Sequence, residues 1–290
     1  MEINPFSRII SGTMTWGAWG RQFSTSQMHA LIEETVALGI HTFDHADIYG
    51  GYTTEEEFGR AFQKSSISRE AVQFITKCGI QFPCEARPLP VKHYDYSPAH
   101  LRMSVENSLR KLRTDYIDLL LLHRPSPLMD AKIIAEEILK LQEEGKVKQF
   151  GVSNFTASQM QLLQKEIPLT WNQLECSLTH ESPFFDGTLD HMNVHGIGAM
   201  AWSPLGSYFK ENTPQKERVK QVLLPLCETY TCSEDQLLLA WLLFPPASIY
   251  PVVGTTSAAR LQKSLEATKI TLKITDWFLL LEASMGNPLP

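Results

Sequence analysis

Tyr116-Ile117-Asp118-Leu119-Leu120-Leu121-Leu122 reads as a strand with little polar surface on either side. A half-exposed strand alternates apolar and polar residues, whereas a near-continuous apolar run belongs to a sheet covered on both faces. Working outward from it, seven more short apolar runs punctuate the chain, at residues 8–11, 41–43, 73–76, 149–152, 171–174, 198–202 and 249–253. Segments of helical period separate most of them. Ser24 with Gln27, Thr156 with Gln159, and Ser233 with Gln236 have the spacing of a helix-starting capping box. Ser97-Pro98 sets a cap before a first-turn proline. Gly39 and Gly145 stand where helices should stop, and a last helix is expected over residues 274–285. Strands alternating with helices predict a parallel sheet. Eight such units in 290 residues predict an α/β fold of (β/α)8 TIM-barrel type, one domain over residues 1–290. Residues 82–96, Pro-rich and without period, are expected to form a long loop over the barrel mouth.

Composition narrows the function classes. With 43% hydrophobic and 20% charged residues the chain can build a full core. A net charge of −6 and the lack of any basic block argue against a nucleic-acid partner. The longest apolar runs are too short to span a bilayer, and the N-terminus lacks the apolar stretch of a signal peptide. Five cysteines without repeated spacing suggest neither a disulfide framework nor a zinc knuckle, so a reduced, cytoplasmic setting is expected.

In such barrels the chemistry sits at the C-terminal strand ends. Strands two, three and four deliver Asp44 and, five residues on, Tyr49; then Lys77; then His123. A tyrosine with pKa about 10 is a poor acid near neutrality. A nearby ammonium stabilises its phenolate and lowers that value, so Lys77 should tune Tyr49. Asp44 would hold Lys77, and a neutral His123 could orient a substrate oxygen. None of these groups supplies reducing electrons, so a hydride cofactor is required. The His41, Asp44, His45 and Asp47 cluster invites a metal reading, but strand alternation prevents all four from converging, and no metal site is expected. His45 and Asp47 should make turn hydrogen bonds, Cys78 should face away from Lys77, and Arg124 should be a rim charge. Trp16, Trp19 and Phe23 fall where either a substrate wall or plain packing is reasonable.

These residues carry a family likeness. Residues 43–50 (FDHADIYG) resemble the Asp and Tyr signature of the aldo-keto reductases. Thr76-Lys77-Cys78-Gly79 resembles the strand with the family's Lys, and residues 115–123 (DYIDLLLLH) the strand ending in its His. Gly151-Val152-Ser153-Asn154-Phe155, Asn172-Gln173, Trp202-Ser203-Pro204-Leu205-Gly206 and Gly254-Thr255-Thr256 follow in the family's order, and the HADIYGGY and HRPSPLMD strings resemble its YdhF-like branch.

The resemblance implies an NADPH-dependent reductase of aldehyde or ketone carbonyls, with a small-molecule carbonyl substrate and Asp44, Tyr49, Lys77 and His123 as catalytic residues. It implies that Ser153, Asn154 and Gln173 hold the nicotinamide carboxamide, with Trp202 stacked on the ring and Gly12, Thr13 and Met14 (with Asp44) beside it. Ser203, Pro204, Leu205 and Gly206 would line the pyrophosphate. Gly254, Thr255, Thr256, Ser257, Arg260, Lys263 and Ser264 would hold the adenosine end. Two positions depart from the pattern: Gly254 stands where many members have Lys, and Ser264 where many have Asn. Arg260 and the hydroxyl run 255–257 still suit a phosphate near a helix N-terminus, which favours NADPH over NADH. The alternative the likeness leaves open is a weakly catalytic, NADPH-binding regulatory subunit of the same fold. Substrate identity and oligomeric state are written in no motif.

Overall fold

A computed structural model describes residues 6–289. In chain order the elements are β1 (Ile10–Gly12), α1 (Thr25–Ala37), β2 (Thr42–Asp44), a single turn α2 (Tyr49–Tyr52), α3 (Thr54–Phe62), β3 (Gln73–Cys78), β4 (Ile80–Gln81), β5 (His93–Tyr94), α4 (Pro98–Leu112), β6 (Ile117–Leu122), α5 (Ala131–Glu143), β7 (Val147–Ser153), α6 (Ala157–Gln164), β8 (Trp171–Glu175), α7 (Thr188–Val194), β9 (Gly198–Trp202), α8 (Pro214–Tyr230), α9 (Glu234–Leu243), β10 (Tyr250–Val253), α10 (Ala258–Ala267) and α11 (Ile274–Met285). Eight strands close into a barrel in the order β1, β10, β9, β8, β7, β6, β3, β2, every neighbouring pair parallel. All eight expected strands are present, with ends displaced by a residue or two.

The apolar run that opened the sequence reading becomes β6, and strand alternation divides its leucines. Leu119 and Leu121 pack inside the barrel with Ile10, Ile75, Trp171, Met200 and Val252. Leu120 and Leu122 face outward into the layer shared with α4, α5 and α6. The same alternation in β3 turns Ile75 inward and Cys78 outward, so Cys78 does face away from Lys77.

Helix ends follow the local signals. Ser24 and Thr156 make complete capping boxes, Gln236 accepts from the Ser233 N–H, and Ser97 caps α4 at His100 N–H. Gly39 and Gly145 take φ of 87° and 71° just past α1 and α5, a conformation that only glycine adopts freely. Residues 82–96 depart from expectation in part. Their ends are tied by an antiparallel hairpin in which Ile80 pairs with Tyr94 and Gln81 with His93. No helix among the described residues is long and apolar enough to cross a membrane.

Candidate active site

The C-terminal rim of the barrel gathers the four singled-out groups. Lys77 lies at the end of β3 and points inward like Ile75 two residues before it. Its Nζ donates to Asp44 Oδ1 and Oδ2 at 2.7 and 2.8 Å, to the His45 carbonyl at 2.8 Å and to the Tyr49 hydroxyl at 3.2 Å. Lys77 and Asp44 are 1% and 2% exposed. A buried ion pair persists only when further hydrogen bonds satisfy both partners, as they do here. Asp44 also accepts from Gln173 Nε2 at 2.7 Å. His123 faces Tyr49 edge-on, with ring centroids 6.2 Å apart.

Electrostatics sort these groups into donors. Burial pulls the Lys77 ammonium down, but Asp44 and the Tyr49 oxygen outweigh it and hold its pKa above the usual lysine value. Burial, then the charges of Lys77, Arg124 and Lys92, push His123 well below the imidazole range, so it is neutral. Tyr49 corrects the simple expectation. Burial raises its phenol and the Asp44 carboxylate adds to that; Lys77 pulls it down but does not prevail, and the net direction is up.

The neighbouring histidine and aspartate separate. His45 Nδ1 shares a hydrogen bond with Thr13 Oγ1 at 2.9 Å, and burial and Lys77 push its pKa down to about 3. The Asp47 side chain is buried; it accepts the expected turn hydrogen bond from the backbone N–H of Ile48, while its Oδ1 has no partner. Among the described residues no three His, Cys, Asp or Glu side chains gather closely enough to hold a metal ion.

The remaining predicted positions line the same rim. Asn154 adopts φ 61°; its Nδ2 donates to Ser153 Oγ at 2.8 Å and its Oδ1 accepts from Trp202 Nε1 at 2.9 Å. Gln173 is anchored through its nitrogen on Asp44, which leaves its carbonyl oxygen as an acceptor. A carboxamide needs one acceptor for its NH2 and one donor for its oxygen; Gln173 Oε1 and the Ser153 hydroxyl offer both. Gly12 is tight against Val252, and a side chain there would crowd the space towards Gly254. Met14 is exposed at the rim. Ser203 has φ 47° and Gly206 φ 55°; a Cβ at Gly206 would collide with Thr179 and Ser177. Pro204 is buried, and Leu205 packs on the outer core.

At β10 the loop is pinned to the β1 loop by Thr15 Oγ1 donating to the Gly254 carbonyl and Trp16 Nε1 to that of Thr255, each at 3.3 Å. Beyond Thr256, Ser257 is the N-cap of α10 but makes no side-chain cap bond. The Arg260 N–H already donates to the Ser257 carbonyl and the Ser257 N–H to Thr255 Oγ1, which leaves the Ala258 and Ala259 N–H groups to meet an anion. Arg260 and Lys263 lie exposed on this helix, whereas buried Ser264 spends its hydroxyl on the Arg260 carbonyl at 2.9 Å. Gly254 faces open space, so the missing lysine leaves room that nothing fills. Carboxamide-matching groups at one end and cationic and backbone donors at the other are chemically suited to a nicotinamide nucleotide.

The aldo/keto reductase family model matches residues 8–283. This chain belongs to that family. The aldo/keto reductase is 42% identical to the uncharacterized oxidoreductase YcsN of Bacillus subtilis (strain 168), over 98% of this chain and 96% of that one. It is 37% identical to the oxidoreductase YdhF of Escherichia coli (strain K12), over 98% and 96%. A 6-dehydroglucose reductase of Agrobacterium fabrum is 38% identical over 97% of this chain and 95% of its own. Among solved structures, the thermostable aldo-keto reductase Tm1743 superposes with a TM-score of 0.82 at 25% identity, covering 96% and 95% of the two chains.

Two residues of this reductase were not assigned by sequence reasoning. Arg124, read as a rim charge, places its guanidinium 5.3 Å from the Trp202 ring centroid, and its field reaches Tyr49 and His123. Its position directly after His123 was the available signal. Phe82 packs edge-on against Trp19 at 5.3 Å, and Trp19 lies 6.2 Å from Tyr49. Trp19, 40% exposed, is therefore the tryptophan that lies beside Tyr49, whereas Trp16 is core, packed on Phe23 and Phe43.

Proposed function

We propose that this aldo/keto reductase reduces aldehyde or ketone carbonyls to alcohols with NADPH, with Tyr49 as the proton donor. The observation that carries the reading is the buried Lys77 ammonium, held by Asp44 and donating to the Tyr49 hydroxyl at 3.2 Å. A reduced nicotinamide supplies the hydride that none of these side chains can. The carbonyl oxygen would sit between the Tyr49 hydroxyl and the uncharged His123 ring, which accepts no proton near neutrality and can only orient it. As negative charge develops on that oxygen, Tyr49 gives up its proton, and the Lys77 ammonium stabilises the phenolate left behind. Asp44 keeps Lys77 charged and, through Gln173, ties the proton donor to the carboxamide site. Ser153, Asn154, Gln173 and Trp202 would hold the nicotinamide end, and α10 with Arg260 the phosphate end. The name of the Agrobacterium relative puts sugar aldehydes among the carbonyls to try.

Tyr49→Phe tests the reading. Loss of a general acid costs about 10²–10⁴-fold, so turnover on aldehydes, quinones and keto sugars should fall by at least about a hundredfold. The Kd for NADPH should stay within about twofold. Wild-type turnover surviving in Tyr49→Phe would refute the proton donor. Tight NADPH binding without wild-type turnover on any of them would favour the regulatory-subunit alternative.

A further inference from the structure

The turn that leaves Tyr49 contains three successive residues in the left-handed region: Gly50 at φ 63°, Gly51 at φ 67° and Tyr52 at φ 74°. Two glycines there are unremarkable. A tyrosine is an outlier, and such a conformation persists only when the surroundings over-determine it. Tyr52 is held from three directions. Lys111 Nζ donates to its carbonyl at 2.8 Å. Its phenol oxygen accepts from the Phe82 N–H at 2.8 Å and donates to the Ile80 carbonyl at 3.4 Å. The Arg87 guanidinium lies 3.9 Å over its ring. Two of these directions come from residues 80–87, where the hairpin loop begins. Phe82, gripped by its N–H, turns its ring onto Trp19, and Trp19 leans on Tyr49. A circuit therefore runs from the Tyr49 turn through Tyr52 into the loop and back to the Tyr49 ring.

We propose that Tyr52 is a positioning residue that seats Phe82, and with it the aromatic wall beside Tyr49, so that it sets which carbonyl substituents the site accepts. It acts through Phe82 and Trp19. A substituent on the carbonyl carbon lies against Trp19 and Phe82, whereas a small carbonyl needs only Tyr49 and His123. Loosening the wall therefore weakens large apolar substrates selectively. The kinetic part rests on the carbonyl-reductase reading above.

The test is Tyr52→Phe, which keeps the ring under Arg87 and removes only the phenol oxygen. Losing a buried acceptor corresponds to about five- to tenfold in an equilibrium constant. KM for 4-nitrobenzaldehyde is expected to rise by about that factor, while kcat, KM for propanal and the pH profile stay within about twofold. Amide hydrogen exchange over residues 80–87 should quicken, with β2 and β3 unchanged. Phe82→Leu, which keeps the N–H and removes the wall ring, should raise the same KM without quickening exchange. The double variant should be no worse than the worse single one, because both act on one contact. Equal losses on both aldehydes, additive effects, or unaltered exchange would overturn the proposal. Wild-type turnover on neither aldehyde would instead overturn carbonyl reduction, and the exchange result would still decide whether Tyr52 seats the loop.

Discussion

At Asp44 a single carboxylate meets three donor contacts: two from Lys77 Nζ, counting each oxygen, and one from Gln173. Asp44→Asn keeps the shape but brings an amide NH2 against an ammonium and a second amide. It also leaves the Lys77 charge buried without a counter-ion, which costs on the order of 3–5 kcal/mol. Urea unfolding should show a loss of that size, together with loss of turnover. Asp44→Asn combined with Lys77→Met should recover most of the stability and none of the turnover. Recovery of turnover would mean that the pair is structural only. The residue types and strand-end positions of Asp44, Tyr49, Lys77 and His123 were legible because one local rule, chemistry at strand exits, places them. The Gln173–Asp44 bond was not, because the two stand 129 positions apart and only barrel closure brings them together. The direction of the Tyr49 shift was missed for a related reason: a sequence shows a lysine nearby but not how completely both groups are buried.

Among the elements, α10 carries the cofactor question. Its N-terminus is uncapped by any side chain, its first turn faces the β10 exit, and Arg260 is its nearest exposed guanidinium. A 2′-phosphate adds two charges that a guanidinium can meet with paired hydrogen bonds. Arg260→Ala should therefore weaken NADPH binding about tenfold and NADH binding by less than about twofold, as measured by tryptophan fluorescence titration. Equal losses for both nucleotides would place the phosphate elsewhere. Helix starts such as α1 and α6 were readable because a capping box is complete within four residues. The β4–β5 hairpin was not, because two-residue strands show no period and their pairing depends on where β3 and α4 anchor the loop. The split fate of Trp16 and Trp19 was hidden likewise, since three positions separate a fully buried indole from one 40% exposed.

Across the whole molecule, two sets of buried groups oppose each other as pH changes. His45 and His123 are held neutral, His45 with a pKa near 3. Below pH ~6.5 the unfolded chain takes up protons at these imidazoles that the folded barrel refuses, so stability falls as pH falls, by ~1.4 kcal/mol per group for each pH decade. Asp47 and Glu55 work the other way. Burial raises Asp47 well above its usual value and Glu55 adds to it; Glu55 itself is raised by burial despite bonds from Thr76 and Ser108. The folded barrel keeps protons that the unfolded chain releases above pH ~4, so their contribution is present at low pH and is lost as pH rises. Asp47 separates the two sets, because its Oδ1 has no partner and an asparagine amide fits the same space without a proton to lose. Asp47→Asn should match the wild type near pH 4 and gain on it steadily as pH rises, by ~1.4 kcal/mol per decade until the folded carboxyl ionises. The imidazole limb, common to both proteins, cancels in the difference. Urea unfolding of the pair at intervals from pH 4 to 8 reads that slope directly. A difference that does not change with pH would mean that Asp47 is already ionised inside the barrel, held by Arg87 and Lys111 rather than by its proton.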